Sequence, residues 1–344
     1  MKSAIIVFSK YFGYRVGGAE ISMFEMAKKF EREGHHISVL LNTAPKGYNA
    51  KRYQFDMPKS WSVHEYKPAF QFTRFPFLEF VFLYPFMQRF IRQFEGDVIW
   101  LSYGYWAAML SWSRQQKIVS FRDVTSIGCY ENVNTDWRWF IKLFLWLCEY
   151  PALFIWHHHM KRTVQKAKVI TNSEFIKSKV MSSFNPAEIS VIYPEIDQQS
   201  LREQHSHAIE NLEFEKGVVH VGASQSKGLD ITLHLAQQFP EQIFHVFDRK
   251  YTALSKHQNV YFHPWSNSGR IFALADVVIV PSRCNEAYGR VSAEARCLSI
   301  PVLVSGKGGL PETVSDKDDV VIPPVDKQAW VRALSNKLDG LTKK

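Results

Sequence analysis

The chain has 344 residues, 46% of them hydrophobic and 22% charged, with a formal net charge of +9. That length exceeds one ordinary core and fits two domains, and that composition excludes disorder over most of the chain. The charge is lopsided: residues 1–180 hold 25 Lys and Arg against 14 Asp and Glu, and residues 181–344 hold 17 against 19, so the first half attracts anionic partners such as phospholipid head groups, nucleic acid or a phosphate-bearing acceptor.

The opening "MKSAIIVFSKYFG" reaches charge and glycine early and its apolar run is only strand-length. No targeting segment is expected, and the reading is cytoplasmic. In the first half, strands are predicted at 4–8, 37–41, 97–101, 117–121 and 168–172. Met23, Met26, Ala27 and Phe30 recur at helical spacing between the first two, and Gly34 ends that helix. The turn feeding it, "GYRVGGAE", carries Gly17 and Gly18, which let the backbone approach an anion. It is not GxGxxG, so a nicotinamide cofactor finds no support. A second series of strands is predicted at 217–222, 242–248, 259–263, 276–280, 301–305 and 319–323, with helical stretches in most gaps. This alternation predicts an α/β fold of two Rossmann-like domains, residues 1–195 and 196–344, joined in the polar segment near 195–215.

Four cysteines, Cys129, Cys148, Cys284 and Cys297, are scattered without a CxxC pair. Neither a zinc site nor a disulfide framework is indicated, and they read as reduced core residues. "HHH" at 157–159 has ligand chemistry without ligand spacing and reads as an interfacial or partly exposed run; "DKDD" at 316–319 reads as a solvated acidic loop, and no metal is expected. Residues 70–94 contain nine phenylalanines interspersed with Arg74, Arg89 and Arg92, and residues 137–162 add four tryptophans. Pro76, Glu79 and Pro85 interrupt the first stretch and Lys142, Glu149 and Pro151 the second, so neither spans a membrane. Two readings stay open: buried helices, or aromatic and basic faces lying on an anionic membrane surface. Nucleic acid is disfavoured, because the aromatics cluster in apolar runs.

The richest stretch is "PSRCNEAYGRVSAEA", residues 281–295, which follows the predicted strand 276–280 and enters a helix near Gly289. Ligands of open α/β sheets bind at the carboxyl ends of strands. Glu286 falls in that loop, Glu294 lies more than a turn into the helix, and the amides of Ala287, Tyr288 and Gly289 between them suit a diphosphate. Carboxylates repel phosphate, so their better partners are hydroxyl groups: a sugar for one, a ribose for the other.

The segment "PSRCNEAYGRVSAEARCLSIPVLVSGKGGLPETV" resembles the E-x7-E signature of the retaining glycosyltransferases of GT-B fold, family 4 (glycosyl transferases group 1). "GYRVGGAEISMFEMAKKFEREGHHISVL", "VITNSEFIKSKV", "VIYPEID" and "VGASQSKGLD" are similar to further segments of that family in the same order. The resemblance implies that Glu286 and the adjoining amides hold the donor sugar and its phosphate, that Glu294 binds the nucleotide ribose, and that Lys227 stabilises the leaving diphosphate. It also implies that Gly17 and Gly18 approach the phosphate, that Gly309 within "GGLPE" (308–312) lies near the nucleotide, and that Asp123 in "FRDVT" stands near the acceptor.

The chain departs from the family at several points. Ala223 replaces a usual arginine, which leaves Arg283 and Arg15 to supply charge; Arg122 stands where histidine is common, and Ser299 replaces a glycine. The chain ends soon after "DKQAWVRALSNKL", short of a C-terminal segment that in the family packs back on the first domain. The resulting expectation is a metal-independent hexosyltransferase without a cofactor. It would move sugar from a UDP- or GDP-linked donor to a lipid-linked saccharide or other envelope glycan, peripherally at the inner membrane face. Two alternatives stay open: a catalytically impaired GT-B subunit that binds glycan or a partner enzyme, and a GT-B nucleotide-sugar epimerase.

Overall fold

The computed structural model describes residues 4–9, 18–42, 57–66, 76–92, 98–101, 104–124, 127 and 139–342. The chain divides into two compact units, Met1–Tyr193 and Pro194–Lys344.

In the first unit the described elements run β1 (Ala4–Ser9), α1 (Gly18–Arg32), β2 (His36–Asn42), β3 (Ser62–Tyr66), α2 (Pro76–Arg92), β4 (Val98–Leu101), a 3-10 turn at Gly104–Leu110, β5 (Gln116–Phe121), α3 (Trp139–Val164), β6 (Lys168–Thr171), α4 (Glu174–Phe184) and β7 (Glu188–Val191). The strands form one sheet in the order β3-β2-β1-β4-β5-β6-β7, and every described pairing is parallel. On α1, Phe24 and Ala27 are buried against Ile37, Val39 and Trp61, as the 3.6-residue period of the sequence requires. The aromatic stretches become α2 and α3. Phe77, Phe80, Leu83, Met87 and Ile91 of α2 and Trp156 and Met160 of α3 are buried, with Phe77 and Trp156 rings 5.2 Å apart. The histidine run is split: His159 turns inward, its Nδ1 2.7 Å from Ser111 Oγ, while His157 and His158 stay exposed.

The second unit runs α5 (Gln198–Glu210), β8 (Gly217–Val221), a 3-10 turn at Gln225–Lys227, α6 (Leu229–Gln238), β9 (Phe244–Asp248), β10 (Ser255–His257), β11 (Val260–Pro264), α7 (Ser268–Ala273), β12 (Ala275–Val280), α8 (Arg290–Cys297), β13 (Val302–Ser305), 3-10 turns at Leu310–Thr313 and Lys317–Asp319, β14 (Val320–Val321) and α9 (Lys327–Thr342). Its sheet order is β10-β11-β9-β8-β12-β13-β14, parallel except for the β10–β11 edge. Both faces are covered, which is why the inner strands read as unbroken apolar runs. Val219, Val278, Val280, Val302 and Val304 point to the α7 and α8 side. Their neighbours Val218, Val277, Ile279 and Leu303 point to Ile231, Leu235, Trp330 and Leu334 of α6 and α9. Cys284 and Cys297 are free thiols at half-buried positions, a correction to the expectation of core cysteines. The acidic loop is partly solvated: Asp318 is exposed, whereas Asp319 pairs with Lys337.

Two histidines are locked into this sheet as neutral rings. His220 of β8 is fully buried with Nδ1 2.7 Å from Thr232 Oγ1, and burial pushes it down to about 4. His263 of β11 lies 3.0 Å from His245 Nδ1, and burial, aided by His245 and Arg270, also brings it to about 4. An unfolded histidine titrates near 6.5, so between about pH 4 and 6.5 the unfolded chain binds more protons than the folded one. Stability is therefore expected to be intact above pH 6.5 and to fall as pH drops, by roughly 2 kcal/mol for each ring at pH 5. Urea midpoints at pH 7 and pH 5 check this; a flat midpoint would contradict the buried neutral pair.

Candidate active site

In an open α/β sheet, a crevice forms where the chain order reverses, between neighbouring strands whose crossovers run to opposite sides. In the second unit that point lies between β8 and β12, and the loops leaving these two strands carry Lys227 and Glu286. The sheet topology thus brings together residues 59 positions apart: Lys227 Nζ donates to Glu286 Oε1 in a short, part-buried ion pair.

The β8 loop turns at Gly228, whose φ is +82° and where a Cβ would lie 2.1 Å from Pro281 O. Only glycine lets the two loops run this close. Ser224 caps the turn by accepting from the Lys227 amide at 3.2 Å. Across the gap, the Arg283 amide donates to Ser226 O at 2.8 Å, and Ser282 Oγ donates to Glu286 Oε1 at 2.8 Å. Burial alone would lower the Lys227 ammonium, but the adjacent Glu286 charge and its hydrogen bond hold it above the usual lysine value. A fixed cation thus sits beside a carboxylate that receives Lys227 and Ser282 on the same oxygen, Oε1.

Glu294 is 8% exposed on α8. Its Oε1 accepts from Arg290 Nε at 2.9 Å and Nη2 at 2.7 Å, and its Oε2 accepts from Ser268 Oγ at 2.7 Å. The carboxylate is held at the first turn of α7, where α7 follows the carboxyl end of β11. Ala287, Tyr288 and Gly289 lead into the N-terminus of α8, with Gly289 as its cap, and burial raises the Tyr288 phenol. The third wall is the loop after β13. Gly309 N donates to Glu286 O at 2.7 Å, and Ser292 Oγ lies 2.7 Å from Thr313 Oγ1, tying that loop to α8.

Other sequence-predicted residues fall elsewhere. Arg283 is engaged by Asp230 of α6, so it is not a free replacement for the arginine missing at Ala223. The residue that the sequence reading missed is Lys250, whose Nζ donates to Ala223 O at 2.6 Å. Asp248 builds that corner by accepting from Ala223 N at 2.6 Å and Lys250 N at 2.8 Å. In the first unit, Asp123 is half-buried just beyond β5. Its neighbour Arg122 is buried, with Nε donating to Ser120 Oγ at 3.1 Å. Gly18 begins α1, whereas Gly17 and Arg15 lie outside the described residues.

Known proteins share this architecture. Sucrose-phosphate synthase from Thermosynechococcus elongatus superposes with a TM-score of 0.74 at 14% identity, over 98% of this chain and 90% of that one. Anabaena Alr3699/HepE, solved in complex with UDP and glucose, superposes with a TM-score of 0.70 at 18% identity, over 99% of this chain and 91% of that one. In sequence, D-inositol 3-phosphate glycosyltransferase of Corynebacterium urealyticum is 39% identical over 69 residues, 20% of this chain and 16% of that protein. The chain spans at most 45% of the length of the curated relatives it matches. Over longer stretches, the model of Glycosyltransferase Family 4 matches residues 16–200 and that of Glycosyl transferases group 1 matches residues 215–339. With two Rossmann-like units and matches of this extent, the chain belongs to glycosyltransferase family 4, the group 1 glycosyl transferases, and has the GT-B fold.

Proposed function

We propose that this glycosyltransferase moves a hexose from a nucleotide-sugar donor to a lipid-linked saccharide or other cell-envelope glycan, with retention at the anomeric carbon. The observation that carries the donor half is the Lys227–Glu286 pair at the sheet's switch point, with Glu294 held on the following helix by Ser268 and Arg290. The Glu286 carboxylate accepts from sugar hydroxyls, and Lys227 with the α8 amides takes the diphosphate. Glu294 accepts from the ribose hydroxyls, with Arg290 aiming the carboxylate. Lys250, beside Ala223, supplies the second cation. UDP in the similarly folded Anabaena protein supports a uridine donor, with GDP as the other base to test.

In the reaction the acceptor hydroxyl oxygen bonds to the anomeric carbon as the bond from that carbon to the diphosphate oxygen breaks. The departing phosphate oxygen takes the acceptor proton. Charge develops on the leaving group, so cations and amides aimed there stabilise the transition state more than the ground state. We read the reaction as independent of a metal and of any further cofactor, because Lys227 and the amides are suited to that charge. Asp123 is assigned to the acceptor, and the protein to the inner face of a membrane. No described helix is long and apolar enough to cross a bilayer.

The test is calorimetric titration and thermal shift with UDP, GDP, ADP and their common sugars. One base family is expected to bind, with affinity reduced about tenfold or more in Glu294→Ala, which removes a buried acceptor of hydroxyl groups. Lys250→Ala is expected to weaken the diphosphate more than the free nucleoside. Absence of binding to every nucleotide would transfer the chain to the impaired, glycan- or partner-binding reading.

A further inference from the structure

The α2–α3 pair has an outer side that packing leaves open. On α3, Leu147, Tyr150, Phe154 and Ile155 are 56%, 52%, 72% and 43% exposed. Their spacing makes one helical stripe, which continues through exposed His158 to exposed Lys161. Phe82 on α2 is 58% exposed, and Pro85, Arg89 and Arg92 follow it at helical spacing as exposed residues. The inward aromatics of the same helices, Phe77, Phe80 and Trp156, are at most 2% exposed. Among the described side chains, one set of aromatics therefore makes the core, and another is presented outward in an array larger than isolated surface apolars require.

The cations lie towards the C-terminal ends of both helices. Arg89 and Arg92, with Pro85 and Gln88, line a surface cavity of about 530 Å³. Trp112, 55% exposed, lies just after the 3-10 turn packed on α2 and α3, with the Arg162 guanidinium 4.0 Å over its ring. The two helices run side by side in the same direction, since Phe77 meets Trp156 and Tyr84 meets His159. The apolar residues of α3 are thus followed along the shared axis by Lys161 and then by the arginines of α2. A gradient from exposed aromatic to exposed cation matches the gradient from acyl chain to phosphate at a bilayer surface.

We propose that the outward faces of α2 and α3 dock on an anionic phospholipid bilayer: Leu147, Tyr150 and Phe154 enter the acyl boundary, and Arg89 and Arg92 take headgroup phosphates. The charge surplus of the first 180 residues, 25 basic against 14 acidic, draws the same unit to that surface. This docking rests on the envelope-acceptor reading for its purpose only; lipid binding is measured without donor or acceptor.

The experiment is flotation of the full chain with phosphatidylcholine vesicles, alone or containing about a third phosphatidylglycerol. Binding is expected with phosphatidylglycerol, to decline with salt, and to fall about tenfold or more in Tyr150→Ser with Phe154→Ser. Arg89→Gln with Arg92→Gln is expected to remove about tenfold of the preference for anionic lipid while leaving nucleotide affinity intact. Should the aromatic pair lower the thermal midpoint, Leu147→Ser and the arginine pair carry the test. Absence of wild-type flotation, or equal flotation of all folded variants, overturns the docking. A lipid-independent dimer by light scattering that Phe154→Ser dissociates also overturns it, in favour of a second copy on this face. Either failure, alongside intact nucleotide binding, leaves the transferase reading standing.

Discussion

Lys227→Ala is expected to lower kcat by about 10²–10³, the loss typical of deleting one preorganised group at a developing oxyanion. The ammonium is placed by three independent restraints. The 3-10 turn is capped by Ser224, Gly228 allows the loop to lie against Pro281, and Glu286 accepts the lysine's proton-bearing head. A cation fixed this way needs little reorganisation when charge builds on the leaving diphosphate. The mutation also leaves Glu286 without its cation. The side chains of Lys227 and Glu286 are 40% and 20% exposed, so screening keeps the stability loss well below that of a fully buried pair. The kinetic loss should therefore far exceed any loss of thermal stability. Lys227→Arg should restore part of the rate and Lys227→Met none. Single-turnover rates with saturating donor read the chemical step directly, and undiminished turnover in a folded Lys227→Ala variant would remove the lysine from leaving-group stabilisation.

The interior strands of both sheets were legible because parallel strands covered on both faces must be apolar throughout. The three strands not predicted, β3, β7 and β10, are all sheet edges. β10 is fully exposed, β7 has no buried residue, and Val63 of β3 is 44% exposed. These three edge strands bury too little to leave an apolar run, unlike the edge strand β14 with its buried Val321, so their pairing partners, not their composition, decide their state. The same distinction separates the site residues. Glu286 and Lys227 sit in loops, and Glu294 in the helix α8, whose positions follow from the strands before them. Lys250 reaches Ala223 across 27 residues because β9 pairs with β8 in register, a relation that no local spacing encodes. Arg283 lies in the predicted loop, yet Asp230 takes its guanidinium. The aromatic stretches left two readings open because composition records how many rings there are, whereas helical phase decides which of them face solvent.

Gly308→Ala is expected to destabilise the second unit by roughly 2–4 kcal/mol and to lower donor affinity with it. Gly308 has φ +64°, and a Cβ there would lie 2.1 Å from Glu286 O and 2.6 Å from Glu286 N. Both atoms are backbone, so no rotamer change relieves the overlap, and the left-handed conformation adds its own cost for any residue with a side chain. The loop after β13 would have to withdraw. Withdrawal would break the Gly309 N–H to Glu286 O bond of 2.7 Å and release the segment that carries the Glu286 carboxylate. A matched control lies in α9: at Gly340 a Cβ would meet nothing within 4 Å. Gly340→Ala is therefore expected to be neutral to stabilising, by up to about 1 kcal/mol from helix propensity. Urea midpoints of the two variants should move in opposite directions, and only Gly308→Ala should weaken nucleotide-sugar binding in calorimetry. Equal midpoints would mean that the β13 loop yields freely and does not set the position of Glu286. A destabilised Gly308→Ala with donor affinity unchanged would separate the loop's structural role from the site and shift the sugar contact away from Glu286.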